Sequence, residues 1–303
     1  MTAPAGAGTA LQSLPVADTG QTTTDPVAGS GRPLGAVIAA LEARYDPALA
    51  EPWDAVGLVC GDREEVVRSV LFAVDPTAAV VDEAIALGAD LLVTHHPLLL
   101  TPVHGVPADH PQGRLVHRLI RSGVALFAAH TNADRAADHG VNDALAAVLG
   151  LVDPVPLEPA ATPGAGLGRI GELPETRTLQ QFAEQVAAAL PATPGGVRVV
   201  GDPGRLVRTV AVCGGSGGSL LAAAAEAGAD VFLTSDVKHH PAVDAAEVAG
   251  PALCDVAHYA SEWPWLPVAA DLLHRDLGGQ VRVTVSSRRT DPWTFRVGVA
   301  PDR

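Results

Sequence analysis

Thiols are nearly missing from this 303-residue chain: Cys60, Cys213 and Cys254 stand alone, with no CxxC spacing among them. That excludes a disulfide framework and a thiolate zinc site, and it fits a reducing, cytoplasmic setting. Aromatic residues are scarce as well, 4% of a chain that is 48% hydrophobic, so Ala, Val and Leu have to fill the core. Such a core suits α/β layering. Cations are outnumbered, 20 Lys and Arg against 34 Asp and Glu, and the densest basic pair is Arg288-Arg289. Phosphate neutralisation needs clustered cations, so nucleic acid is not an expected partner. No long apolar run is present either: Thr209 to Ala225 is broken by Gly214-Gly215-Ser216-Gly217-Gly218 and reads as strand, turn and helix. No membrane association is expected. The opening Met1-Thr2-Ala3-Pro4 has neither a positive n-region nor an apolar h-region, so no secretory signal is expected.

What the chain does have is one pattern written twice. Gly88-Ala89-Asp90 leads through Leu91-Leu92-Val93 to Thr94-His95-His96-Pro97, and Gly228-Ala229-Asp230 leads through Val231-Phe232-Leu233 to Thr234-Ser235-Asp236-Val237-Lys238-His239-His240-Pro241. Downstream, an apolar run reaches His130 and then Asp134, and a second run reaches His258 and then Glu262. In both places a carboxylate follows a histidine by four. The expected fold class is therefore α/β: two similar α/β lobes, an internal pseudo-repeat, enclosing one polynuclear metal site at their junction.

Residues 1–31 are rich in Ala, Gly, Thr and Pro without hydrophobic periodicity, and a disordered N-terminal tail is expected there. The first lobe is expected over 32–155. Pro33 suits the first position of a helix carrying Leu34, Val37, Ile38 and Leu41. Strands are expected at 67–74, 91–94 and 124–129, and helices at 78–87, 115–122 and 141–149. The proline-rich stretch 151–163 marks the boundary. In the second lobe, 156–303, strands are expected at 197–200, 207–212, 231–234, 281–285 and 294–297, and helices at 179–190, 219–227 and 263–277.

Consecutive residues on extended backbone point opposite ways, so His95 and His96 could reach two metals on different sides of a bridging group. Taken alone, His-His-Pro could equally hold a surface or core histidine. Asp134 lies in a polar run after an apolar strand, where Asx turns and helix caps are also at home. It is still the carboxylate assigned to metal, whereas Asn142-Asp143 reads as capping. His258 and Glu262 are spaced to share a helix face, as a chelating pair or a plain surface pair. Asp236 and His240 occupy the counterpart of His95-His96 and could be ligands, orienting partners or substrate contacts. Lys238 could meet an anionic substrate, although a solvated lysine is the plainer reading. The glycine run lacks a Walker lysine and reads first as a tight turn. His104, His110, His117, His139 and His274 have no partner at ligand spacing.

The ordered motifs resemble the NIF-three-like dinuclear metal-centre family, whose bacterial members are called GTP cyclohydrolase 1 type 2 homologues. The resemblance runs from Leu34 to the C-terminus. It rests on Trp53-Asp54 with Val56-Gly57-Leu58, Thr94-His95-His96-Pro97, His130-Thr131-Asn132-Ala133-Asp134 and Gly140-Val141-Asn142-Asp143, then Gly168-Arg169-Ile170-Gly171, Val212-Cys213-Gly214-Gly215-Ser216-Gly217 and His258 through Glu262. Ala55 and Ser235 depart from the family pattern at the rim. The resemblance implies two related lobes around two divalent metals and a ring-shaped, toroidal homohexamer. It implies that His95 and His96 each bind a different metal, that Asp134 binds one and His258 the other, and that Glu262 bridges both. A mixed imidazole and carboxylate set suits Zn, Mn or Fe and hydrolytic chemistry, with His130 or His240 assisting proton transfer or orienting ligands. The family label implies a nucleotide, GTP, as small-molecule substrate. The competing expectation is a non-enzymatic, ring-shaped metal-binding scaffold or regulator.

Overall fold

The computed structural model describes residues 31–247 and 250–298, together with the backbone of Thr23–Thr24. The rest of the expected tail lies outside the described residues. In chain order the elements are β1 (Thr23–Thr24), β2 (Arg32–Pro33), α1 (Leu34–Arg44), β3 (Gly57–Cys60), β4 (Val66–Val67), β5 (Ser69–Ala73), α2 (Ala78–Ala86), β6 (Leu91–Thr94), α3 (Pro111–Arg121), β7 (Ala125–Ala128), α4 (Thr131–Asp134) and α5 (Val141–Val148). There follow β8 (Val152–Pro159), β9 (Gly166–Thr178), α6 (Leu179–Ala189), β10 (Arg198–Val200), β11 (Leu206–Val212), α7 (Leu221–Glu226), β12 (Val231–Ser235), α8 (His239–Glu247), β13 (Ala252–Val256), α9 (His258–Glu262), α10 (Trp265–Asp276) and β14 (Arg282–Val285).

The strands form two six-stranded sheets, ordered β1-β14-β5-β6-β7-β3 and β10-β13-β12-β11-β9-β8, and a small β2-β4 pair. In the first sheet β14, β5, β6 and β7 run parallel, with β3 antiparallel beside β7. In the second sheet β11, β12 and β13 run parallel, with β10 antiparallel beside β13 and β9 beside β11.

Period-two alternation sorts the strand side chains into layers. Val70, Phe72, Leu91, Val93 and Phe127 face a shared core with Val210, Val212, Val231, Leu233 and Cys254 of the other sheet. Leu71, Leu92 and Leu126 turn outward under α2 and α3, and Ala211, Phe232 and Leu253 turn outward under α7 and α8. Helices α1, α5, α6, α9 and α10 contribute to the shared core, so both sheets present the same kind of face to one central layer. All parallel strands consequently have both faces covered, which is why they read as nearly continuous apolar runs.

The structure departs from the sequence expectations at identifiable residues. Pro33 sits one position before the first helical residue. The expected boundary segment forms β8, and its prolines are tolerated because β8 is a sheet edge that needs few donors. The helix expected from 263 starts at Trp265, because Pro264 cannot donate to the preceding turn; this detaches α9, with His258 and Glu262, from α10. Strand β14 pairs with β5, so the last part of the expected second lobe returns to the first sheet. The strand expected over 294–297 is irregular chain, with Trp293, Phe295 and Val297 facing solvent. Among the described residues no helix is long and apolar enough to cross a membrane.

Candidate metal centre

The carboxyl ends of the parallel strands of both sheets meet at one place, where loops can converge while the strands stay rigid. His95 and His96 follow β6, His130 follows β7, and Asp75 lies just past β5. From the other sheet, Gly214 and Gly215 follow β11, Asp236 follows β12, and α9 opens immediately after β13.

Four imidazoles present the same nitrogen inward, because Nδ1 of each is engaged elsewhere. His95 Nδ1 donates to the Ala129 carbonyl at 2.9 Å, and His96 Nδ1 donates to Asp75 Oδ1 at 2.7 Å. His130 Nδ1 donates to Asp54 Oδ1 at 2.8 Å, and His258 Nδ1 to Asp236 Oδ2 at 2.6 Å. Such partners set ring orientation and tautomer. Each Nε2 is then left for the centre.

Glu262 lies among these nitrogens. Its Oε1 is 2.8 Å from His258 Nε2 and 3.5 Å from His95 Nε2, and its Oε2 is 3.2 Å from His96 Nε2. Asp134 Oδ1 is 3.6 Å from His95 Nε2. The ligand atoms of His95, His96 and His130 lie within 4.8 Å of one another, as do those of His96, His258 and Glu262. Three buried atoms in this cluster, His95 Nε2, Asp134 Oδ1 and Glu262 Oε2, have no hydrogen-bond partner. Buried polar atoms are rarely left unpaired, and three within one cluster of imidazoles and carboxylates fit a cation. The residues present can therefore hold divalent metal.

The electrostatics agree. Burial opposes charge on the imidazoles, but the carboxylates prevail: His95 is raised by Asp134 and Glu262, His96 is pushed up to about 11 by Glu262 and Asp75, and His258 to about 9 by Glu262 and Asp236. Burial would raise Glu262, yet His96, His95 and His258 pull it well below the usual carboxylate range. Burial pushes Asp134 up. The cluster attracts positive charge strongly, and protons stand where ligation would place metal.

One glycine of the run, Gly215, is required by this centre. Gly215 has φ +66°, and a Cβ there would lie 2.5 Å from Glu262 Oε1 and 3.1 Å from His258 Nε2. The amides of the run are already engaged: Gly214 N–H donates to Asn142 Oδ1, Gly215 N–H to Ser261 Oγ and Gly217 N–H to Thr234 Oγ1. The run is a tight turn that lets backbone approach the cluster.

Of the residues singled out in the sequence, His95, His96, His130, Asp134, His258 and Glu262 come together. His240 does not: it is exposed in the first turn of α8, its ring against His239. Lys238 is exposed, and Asp236 orients His258 from the rim at φ +56°. Asp143 caps α5 as expected, but Asn142 also bridges, donating to the Asp134 carbonyl while accepting from Gly214. Asp54 and Asp75 were missed as orienting carboxylates. Their position directly after an aromatic loop residue and at a strand end was the available signal.

Comparison with known proteins places this geometry. The family profile described as Duf34/NIF3 (NGG1p interacting factor 3) matches residues 33–292. The chain belongs to the DUF34/NIF3 family. Among its relatives, a Streptomyces coelicolor protein named GTP cyclohydrolase 1 type 2 homolog is 50% identical, over 88% of this chain and 96% of its own length. A Mycobacterium tuberculosis protein of the same name is 38% identical, over 86% of this chain and 97% of its own. That alignment spans 369 positions, more than this chain possesses, so the mycobacterial relative carries sequence absent here. Among solved structures, a Bacillus cereus protein related to NIF3 superposes with TM-score 0.80 at 28% identity, covering 87% of this chain and 99% of that one. A Staphylococcus aureus hypothetical protein gives TM-score 0.80 at 30% identity, covering 88% and 100%. The mixed α/β fold is thus that of the NIF3 proteins.

Proposed function

We propose that this NIF3 protein holds two divalent cations, Zn, Mn or Fe, and is a metal-dependent hydrolase. His95 and Asp134, with His130 beside them, would serve one cation, and His96 and His258 the other. Glu262, whose carboxylate lies beside His95 of the first group and beside His96 and His258 of the second, would bridge. The observation that carries this reading is the set of three buried atoms without a hydrogen-bond partner, His95 Nε2, Asp134 Oδ1 and Glu262 Oε2, on side chains that meet in one cluster. A pair of such cations supplies Lewis acidity and a lowered water pKa for hydrolysis. The chain's own part is to fix the ligand nitrogens through Ala129, Asp75, Asp54 and Asp236 and to exclude water behind the buried His95 and Glu262. His130, only 14% exposed and locked to Asp54, is the imidazole placed to orient ligands or accept a proton. The name of the relatives supports a purine nucleotide, GTP, as the first substrate to try.

The same reading makes the fold an internal pseudo-repeat, with a first lobe near 32–155 and a second near 156–303 that lends β14 back. Asp90 and Asp230 support it. Asp90 Oδ2 accepts from the amides of Arg68 and Ser69, and Asp230 Oδ2 accepts from those of Arg208 and Thr209. Each aspartate closes the start of one parallel strand pair in the same way. The family resemblance supports a ring-shaped homohexamer, and the free, buried thiols of Cys213 and Cys254 suit a reducing cytoplasm.

One observation favours a second reading, a non-enzymatic metal-held scaffold: Asn142 and the centre itself join the two sheets. Metal content per chain, measured by plasma mass spectrometry for wild type and Glu262→Ala, tests the centre. Near two metals, falling sharply in the variant, are expected; little metal in either overturns it. GTP turnover that disappears with Glu262→Ala supports the hydrolase, and metal without Glu262-dependent turnover supports the scaffold.

A further inference from the structure

The irregular segment after β14 is tied into the centre. Ser286 N–H donates to the Phe72 carbonyl at 2.8 Å, continuing the parallel ladder for one residue, and Ser286 Oγ donates to Glu83 at 2.6 Å. Arg288 N–H donates to Ser286 Oγ at 3.1 Å, and Trp263 Nε1 donates to the Ser286 carbonyl at 3.3 Å. Four residues beyond Ser286, the Thr290 hydroxyl donates to Asp75 Oδ2. Asp75 Oδ1 is the atom that receives Nδ1 of His96. The chain's C-terminal segment thus reaches His96 through one carboxylate.

The orienting carboxylates differ in how firmly they are held. The Asp54 side chain is fully buried and also accepts from the Thr131 amide, the Thr131 hydroxyl and the Ala55 amide, so its plane is set by its own neighbourhood. Asp75 is 27% exposed, at the end of a strand. A partly exposed carboxylate rotates readily about its last torsion, which is broad. Thr290 occupies the oxygen that His96 does not use, and that removes the rotation.

We propose that Thr290 is a positioning residue for the metal centre, fixing the carboxylate of Asp75 and through it the ring of His96. The inference rests on the reading of His96 as a metal ligand. It makes the segment 286–291 a strap that sets the affinity of the His96, His258 and Glu262 side while leaving the His95 and Asp134 side alone. Partners of ligating histidines matter by roughly 10–100-fold in metal affinity, and a group one bond further out acts at the lower end of that range.

The test uses the full chain with Thr290→Val, which keeps shape and removes the donor, and Thr290→Ser, which restores it. Zinc binding is measured by competition with a chromophoric chelator. Wild type and Thr290→Ser are expected to bind two zincs alike, and Thr290→Val to bind one of them about tenfold more weakly. Equal affinities in all three proteins, equal weakening of both zincs, or failure of serine to rescue would overturn the proposal. A second readout needs no metal: the downfield Nδ1–H proton resonance of His96 in histidine-labelled protein. It is expected sharp in wild type and Thr290→Ser and broadened by exchange in Thr290→Val. An unchanged resonance in Thr290→Val would overturn the strap even in a protein that takes up no zinc, whereas zinc-free wild type with a responsive resonance would count against the metal reading alone.

Discussion

His96 and His258 are 162 positions apart in sequence, yet their Nε2 atoms stand 3.2 Å from each other. Both rings donate from Nδ1 to a carboxylate, so two lone pairs would face one another if neither nitrogen bore a proton. Something positive belongs between them. In the metal-free protein a proton would answer that need, drawn in by Glu262, Asp75 and Asp236, and on the proposed reading a cation would replace it.

Proton release on metal uptake is therefore the first expectation. The raised values, about 11 for His96 and about 9 for His258, mean that the free centre carries protons at neutral pH, whereas ligating imidazole must be neutral. Lowering the pH adds competitors, so metal affinity should climb between pH 6 and pH 9. Calorimetric titration with zinc in two buffers of different ionisation enthalpy should show at least one proton released per metal at pH 7. Heats independent of the buffer would refute the assignment.

Gly215→Ala should empty the centre without unfolding the protein. The new Cβ meets Glu262 Oε1 at 2.5 Å and His258 Nε2 at 3.1 Å, from a left-handed backbone that disfavours alanine. The backbone strain alone costs about 1–2 kcal/mol. Metal content should approach that of Glu262→Ala, with a cooperative denaturation curve retained. Full metal content would show that the centre tolerates a shift there.

Asn142 joins the two sides of the site, donating to the Asp134 carbonyl at 2.9 Å and accepting the Gly214 amide at 2.9 Å, in full burial. Asn142→Ala leaves the amide and the carbonyl unpaired, at about 2 kcal/mol or more. Urea denaturation should report that loss. A change below about 0.5 kcal/mol would mean that water replaces both partners.

What could be read in the chain, and what could not, follows from the range of each interaction. His95 and His96 follow the apolar strand β6, His130 follows β7, His258 follows β13, and Asp134 and Glu262 each lie four residues past a histidine, so all six were legible as local patterns. Asp75 follows such a strand too, but its task depends on Thr290, 215 positions away, and no local pattern carries that. The same holds for β14: its apolar alternation predicts a strand, while its pairing with β5 is decided by where α10 delivers it. His240 misled for the opposite reason. It copies the local pattern of His96, but α8 begins at His239 and turns it to solvent.

Arg169 should be the costliest substitution away from the centre. It is 1% exposed, yet Nε and Nη2 meet both oxygens of Asp143, while Nη1 and Nη2 donate to the carbonyls of Gly166, Gly168 and Ala136. It fastens β9 to the first turn of α5 and to the loop before it. Arg169→Met removes the charge and leaves Asp143 and three carbonyls without it, a loss of about 3–5 kcal/mol. Arg169→Lys should recover only part, since one ammonium cannot reproduce the planar fork.

Asp54→Asn separates orientation from charge. Burial raises the cost of its charge, but the hydrogen bonds from His130 and Thr131 hold the Asp54 carboxyl well below the usual range. A depressed folded value means that its contribution to stability is present above the ordinary carboxylate pKa of about 4 and fades as pH falls through the folded value. Replacing it with asparagine should lower stability at pH 7 and flatten the acid limb of the stability curve below pH 4. The amide offers one acceptor oxygen where His130, Thr131 and Ala55 need two. The His130 ring should then lose its fixed tautomer, while the His96, His258 and Glu262 group keeps its metal. Denaturation from pH 2 to pH 7, with metal content measured beside it, checks both. An acid limb as steep as that of wild type would show that Asp54 is not the titrating group.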